Sequence, residues 1–312
     1  MQRLKARIRT ALYRGRTERL FCDQPGYNLR RLWFRDRERS AGSFDHSVWA
    51  KNYERVLSAD VAKRFLAEVY DLSRQAGGTS DEHFTADGTL VESWTSLKSF
   101  VRKDGADAAK VPAAKDEDPG NPTLNFRGEP RRNDTHPSTT DPQRVLDRKA
   151  NGKEAKLCFG GPILWENRNG LCADFTIHDP IAAPEPVVAR EPVQAHQALH
   201  AGVRGKPGGA DQGYHRKDFG AGCRAADMAP HVACQNGVNV AGLDGRTTAK
   251  ESYRISPRIR KRVEEIFGWV KTVGGLRRSR YRGREPTQAW GSFVAGLYNL
   301  LRRARLEWAA AR

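Results

Sequence analysis

Ser256-Pro257-Arg258-Ile259-Arg260-Lys261-Arg262-Val263-Glu264-Glu265-Ile266-Phe267-Gly268-Trp269-Val270-Lys271 is the stretch that decides how the rest of the chain is read. Ser256 suits an N-cap, and Pro257 suits the first helical position, where its missing N–H is no loss. Ile259, Val263, Ile266 and Val270 recur at helical spacing, which predicts an amphipathic helix over roughly 256–272. At about 100° per residue, Arg260, Glu264 and Lys271 share one face, and Gly268 leaves that face open one turn after Glu264. A carboxylate between two cations beside a gap suits a metal ion held against a phosphate backbone. A solvated helix with i,i+4 ion pairs, worth a few tenths of a kcal/mol each, would carry the same pattern. The segment alone leaves both readings open.

Outward from it, the chain is strongly basic. Of 312 residues, 54 are Lys or Arg and 37 are Asp or Glu, a net charge of +17. Such an excess draws polyanions, because each phosphate neutralised releases condensed counterions. A membrane-surface protein shares the charge but needs amphipathic anchors or acylation signals, which the sequence lacks. No apolar run is long enough to span a bilayer, and the N-terminus has no signal-peptide pattern. Cys22, Cys158, Cys172, Cys223 and Cys234 are odd in number, widely spaced and without a Cys-x-x-Cys pair, which fits reduced thiols rather than a zinc ribbon or a disulfide framework.

Residues 1–40 read as basic and broadly helical. A clearer helix starts at Ser58, carries Val61, Phe65, Leu66, Val69 and Leu72 on one face, and stops at Gly77-Gly78. Residues 83–92 read as a strand. Residues 103–153 lose periodicity and fill with Asp, Lys, Pro, Gly and Asn, the composition of a long mobile insertion. The runs 155–159 and 171–177 with Asn169-Gly170 between them predict a β-hairpin. Residues 179–209 hold five prolines and read as irregular. A short helix near 219–228, a brief strand at 230–233 and a helix over about 287–308, with Phe293, Leu297, Leu300 and Leu301 facing inward, complete the reading.

A second functional candidate is the loop Gly274–Arg284. It sets Arg277, Arg278, Arg280, Arg282 and Arg284 around Tyr281 on a glycine tether. Arginines beside a tyrosine suit backbone contacts and stacking on an unpaired base; a solvated basic loop would look the same.

The spacing Arg260-x3-Glu264-x6-Lys271, continued through Phe267–Gly275, resembles the Arg, Glu and Lys of the signature of insertion-sequence transposases, the insertion-sequence-five family in particular. Further blocks are similar in the same order: 83–90 with Lys98-Ser99-Phe100, 133–136, 139–142, 152–157, Gly209–Tyr214, Asp244–Thr248 and Tyr298-Asn299-Leu300. This resemblance implies an α/β RNase H-like catalytic domain with a mixed central sheet over 79–312, preceded by a small helical DNA-binding region over 1–78. It implies a DNA transposase that cuts and joins strands of an insertion sequence, with Asp87, Asp211 and Glu264 as catalytic acids and ligands of Mg²⁺ or Mn²⁺. Arg260, Lys271, Arg277, Arg278, Arg280 and Arg282 would bind DNA. The partners implied are double-stranded DNA at transposon ends and targets and a homo-oligomer in the DNA complex, with no membrane. The location implied is a bacterial cytoplasm, at the nucleoid. Three carboxylates are what two hard divalent ions about 3.5–4 Å apart require if they are to clamp both oxygens of an in-line displacement at phosphorus.

The chain departs from the family at several points. Pro257 stands where the signature has tyrosine, and Gln212 and His215 replace the usual Lys and Asp around Tyr214. Residues 201–209, which should form the strand carrying Asp211, have poor strand propensity. The N-terminal region reads as shortened. Two readings follow: a working transposase, and a catalytically inactive DNA-binding remnant.

Overall fold

The computed structural model describes residues 2–13, 22, 45, 47, 58–79, 83–103, 125–126, 129–149, 152–181, 207–210, 217–225, 229–232, 248–249 and 251–312. Asp211 lies outside them, as do most of 179–209 and of 13–57.

The described residues form nine strands: β1 (Phe84–Ser93), β2 (Asn125–Phe126), β3 (Glu129–Pro130), β4 (Val145–Asp147), β5 (Lys156–Glu166), β6 (Leu171–Phe175), β7 (Pro207–Ala210), β8 (Ala229–Val232) and β9 (Arg278–Ser279). The helices are α1 (Gln2–Leu12), α2 (Ala59–Gln75), α3 (Lys217–Ala225), α4 (Glu251–Arg260), α5 (Val263–Thr272) and α6 (Arg284–Ala310). Seven strands form one mixed sheet in the order β4-β5-β1-β7-β8, with β6 also on β5 and β9 also on β1. β4, β6 and β1 each pair antiparallel with β5; β7 and β9 pair in parallel with β1, and β8 in parallel with β7. The chain is thus a mixed α/β protein with a mixed sheet.

The predicted hairpin forms as β5 and β6, and Gly170 supplies the positive φ of its turn, 74°. Along β5, Phe159, Ile163 and Trp165 alternate onto one face and pack with Val91 of β1, with Ile266 and Val270 of α5, and with Phe293 and Leu297 of α6. β6 is an edge strand, and α6 serves its outer polar groups. Asn299 accepts from the Cys172 N–H and donates to its carbonyl, both at 2.8 Å, and Gln288 accepts from Ile177 N–H at 2.6 Å and donates to Phe175 O at 2.7 Å. Gly291 permits this close approach, because a Cβ there would collide with the Phe175 ring.

Several sequence expectations change. Ser58 caps α2 as expected, accepting from Val61 N–H at 3.3 Å. The buried stripe, however, is Ala62, Leu66, Val69, Tyr70 and Ser73, while Val61 and Leu72 are 45% and 46% exposed. The buried face is the one that meets α6, where Gly296 lets Phe65 and the backbone at Leu66 approach at close range. On α6, Leu301 points outward at 36% exposure, since α2 and β6 cover only the helix's first half and middle.

Part of the expected mobile insertion is folded. Residues 129–149 include β3 and β4, and Leu146 packs with Phe100, Ala155 and Leu157 in a second small core. The polar composition misleads because two of its charges, Asp141 and Arg144, point inward. Arg144, 1% exposed, donates to Asp141 Oδ2 at 2.7 Å, Val91 O at 3.2 Å and Tyr281 O at 3.1 Å, and stacks over the Phe159 ring. Residues 104–124 lie outside the described residues.

Pro207–Ala210 is also a strand, against its propensity. β7 lies between β1 and β8, so both edges of its backbone find partners, and a strand so enclosed needs no side chains of its own to hold its place. Pro207, as the first residue, has no ladder N–H to lose in the interior.

Candidate active site

Asp87 lies in the middle of β1. Its partner in β5 is Ile163, and with Val91 two alternations further on it belongs to the sheet face covered by α5 and α6. Its Oδ1 accepts from Gly88 N–H at 2.9 Å, and its Oδ2 takes the Arg260 guanidinium at 3.0 Å. The pair is partly shielded, at 22% and 14% side-chain exposure.

Arg260 gets there because the predicted single helix is two. α4 begins at Glu251, five residues before the expected Ser256 cap, and ends at Arg260; α5 restarts at Val263. Pro257 sits inside α4 rather than at its start, so it has no N–H to donate to the preceding turn. Ser256 is fully buried and its hydroxyl is engaged by His83 Nε2 rather than capping. The junction is closed by short-range bonds, Arg262 N–H to Ile259 O at 3.0 Å and Glu265 N–H to Arg262 O at 3.0 Å. Arg260 and Glu264 therefore lie on two axes rather than one continuous face. α4 packs on β7 and β8 and α5 on β1, so the junction falls over the strands that carry Asp87 and lead to Asp211.

Glu264 stands exposed in the first turn of α5. Neighbouring Glu265 is committed elsewhere: it accepts from Tyr298 Oη at 3.3 Å and pairs with Arg302 at 3.5 Å. The structure thus separates two acids that the sequence barely distinguishes. Lys271 ends the same helix. Burial, and after it Lys149, pulls its ammonium below the usual lysine range, while Glu264 and Glu92 push back. Of the basic loop, Arg278 is fixed in β9 beside β1 and pairs with Glu92 at 3.2 Å, and Arg277, Arg280 and Arg282 are exposed. Asp211 lies outside the described residues, one position past Ala210, the last residue of β7, which pairs with Ala86. Among the described residues, no group of three or more His, Cys, Asp or Glu side chains is arranged to hold a metal ion.

Sequence reasoning missed the brace behind this site. His83 joins Ser256 of α4 through Nε2 and Asn167 through Nδ1, and Asn167 also donates to Thr85 Oγ1 at 2.8 Å. The brace fixes α4, and so Arg260, to the start of β1. Burial lowers the His83 pKa from 6.5 to about 4. A base whose folded pKa is depressed gives stability that is complete above the unfolded value and lost as pH falls toward the folded one. We expect unfolding free energy to drop by up to roughly 3 kcal/mol between pH 6.5 and 4 from His83, with His178, also lowered by burial, acting in the same direction. Urea titrations across that range should show the slope, and His83→Gln should flatten it; a wild-type curve flat from pH 7 to 4.5 would contradict the brace.

The chain is thus a mixed α/β fold with an acid at the centre of its sheet, clasped by an arginine from the Arg-x3-Glu-x6-Lys segment. A family model for the transposase DDE domain matches residues 140–300. The chain belongs to that transposase family, and its role is that of a transposase. Searches of the curated proteins and of the solved structures return no match. No helix among the described residues is long and apolar enough to cross a membrane.

Proposed function

We propose that the protein is an insertion-sequence DDE transposase of the insertion-sequence-five type, which cleaves and transfers DNA strands with Asp87, Asp211 and Glu264. The observation that carries this reading is the pairing of Ala86 with Ala210 on adjacent parallel strands, one residue before Asp87 and Asp211 respectively. Residues paired across parallel strands share a face, so a strand continued by one residue would set Asp211 beside Asp87. The spatial order β6-β5-β1-β7-β8, antiparallel and then parallel, supports an RNase H-like arrangement for this domain.

Oxygen donors of this kind suit a hard cation. Asp87 offers a carboxylate held in place at both oxygens and left partly open, and Mg²⁺ or Mn²⁺ accepts such ligands. When bound, the ions would supply Lewis-acid stabilisation of the attacking and leaving oxygens. In this chain Arg260 balances the Asp87 charge and orients the carboxylate. Glu264, exposed in the first turn of α5, would complete the acid set. Lys271 and the arginines of 277–282 meet the phosphate backbone, and residues 1–78 add further helical, basic contacts to the DNA.

The test is strand cleavage of end DNA by purified protein with and without Mg²⁺, on wild type and Asp211→Ala. We expect metal-dependent nicking that the substitution removes. Binding without cleavage in the wild type would leave a DNA-binding remnant instead. Affinity should fall steeply between 50 and 200 mM salt, by roughly 10³-fold or more if six or more phosphates are neutralised. Arg280→Ala with Arg282→Ala should lower affinity on every DNA sequence and flatten the log–log salt slope by about two; an unchanged slope would make those arginines ordinary surface charge.

A further inference from the structure

An open cleft of about 710 Å³ lies between Trp94 and the Gly274–Tyr281 segment, at the far end of α5 from Glu264. One rim is Trp94, an indole 68% exposed. That ring is not free to rotate away. Its Nε1–H donates to Arg278 O at 2.9 Å and its backbone N–H to Ser279 O at 3.3 Å, which tether it to β9. The floor is Trp290, buried, with its Nε1–H on Gly274 O at 2.9 Å and the Tyr281 ring 5.5 Å away. Arg280 lies over both rings, 5.6 Å from Tyr281 and 5.9 Å from Trp290. The lining is cationic, with Lys271, Arg277, Arg278 and Arg280, and no acidic residue is among the described residues that line the cleft.

A large exposed aromatic face is costly to leave in water, and a tethered one has already lost the rotamer freedom that binding would otherwise remove. An apolar slot floored by rings and walled by cations complements a π-system bearing a phosphate. Duplex DNA cannot offer that, since its bases are stacked on one another. From Glu264 to Lys271 is seven residues, roughly 10 Å along α5, or about three nucleotide steps at 3.4 Å. A strand leaving the acids would meet the cleft after that interval.

We propose that this cleft holds one unpaired nucleotide of a DNA strand, its base stacked on Trp94 and its phosphate on Lys271, Arg277 and Arg280. The inference rests on the DNA-processing reading above and adds a recognition residue, Trp94, that the family match does not assign. It gives the enzyme a way to prefer DNA ends that are frayed or displaced over intact duplex.

The experiment uses the full chain and two 30-base-pair duplexes of one sequence, one blunt and one with a three-nucleotide single-stranded end carrying 2-aminopurine. Base–aromatic stacking is worth about 1–3 kcal/mol per base, so wild type should prefer the frayed duplex by roughly 5- to 100-fold and quench the probe. Trp94→Ala should remove the preference and the quenching, and Trp94→Phe should restore most of both. Trp94 is on the surface, so both variants should fold, and a thermal melt checks this. A frayed-end preference that survives in Trp94→Ala overturns the proposal, as does its absence from the wild type while both duplexes are bound. Wild-type protein that binds neither duplex would overturn the DNA-processing reading as well, which distinguishes the two failures.

Discussion

An Asp87→Asn protein should bind end DNA and cut it roughly a thousandfold more slowly than wild type, because a divalent ion contributes several kcal/mol of transition-state stabilisation through such a ligand. The exchange keeps the side chain's size and its hydrogen bond from Gly88, and removes one charge. It costs the fold little: the asparagine oxygen can still accept from Arg260, so no buried donor is stranded when the charge goes. A thermal melt should therefore move by a few degrees at most while cleavage collapses. Glu264→Gln should behave alike. Glu265→Gln is the informative contrast, since Glu265 is occupied by Tyr298 and Arg302 on α6. It should lose some stability and keep its cleavage. Cleavage at near wild-type rate in Asp87→Asn would remove that residue from the site, and loss in Glu265→Gln but not in Glu264→Gln would exchange the roles of the two acids.

The second large effect is structural. Arg144→Ala should destabilise the protein by about 3–5 kcal/mol, the range for removing one partner of a buried ion pair. Burial pulls the guanidinium below its usual range and Asp141 holds it up, so the two charges depend on each other. Without Arg144, the Asp141 carboxylate stays buried with the Gly283 N–H at 3.0 Å as its remaining hydrogen-bond donor from the 280s segment, and the carbonyls of Val91 and Tyr281 lose a donor. These contacts join β1 to the segment between β9 and α6, so the same variant should loosen the basic loop and weaken DNA binding. Urea unfolding measures the first and a salt-matched binding curve the second. Replacing both Arg144 by Met and Asp141 by Asn should recover a good part of the loss, because no charge is then stranded. A loss under about 1 kcal/mol in Arg144→Ala would show that water reaches the pair.

Local pattern carried a good part of this fold. The β5–β6 hairpin was legible from two apolar runs and an Asn-Gly turn, α2 from a capping serine and a paired glycine stop, and α6 from its helical period, since each of these signals is contained within a few neighbouring residues. Helix faces were less legible. Val61 and Leu72 have the right spacing for a buried stripe, but which side of α2 is buried depends on the shape of α6, far away in sequence. The 129–149 segment failed for a related reason. Its polar residues satisfy one another and distant carbonyls inside the protein, and a charged residue in sequence carries no sign of such a partner.

By itself the sequence determined the polyanion-seeking charge, the acids and cations available for chemistry, and the family to which they are similar, because these depend on residue identity and spacing alone. Only the tertiary structure decided that Pro207–Ala210 is a strand, that the 256–272 segment breaks after Arg260, and that Arg260 clasps Asp87 while Glu265 turns away to α6. Those outcomes rest on partners 33 to 173 residues apart in sequence or on a neighbouring backbone that satisfies poor strand formers, and local propensities of a kcal/mol or less give way to such contacts.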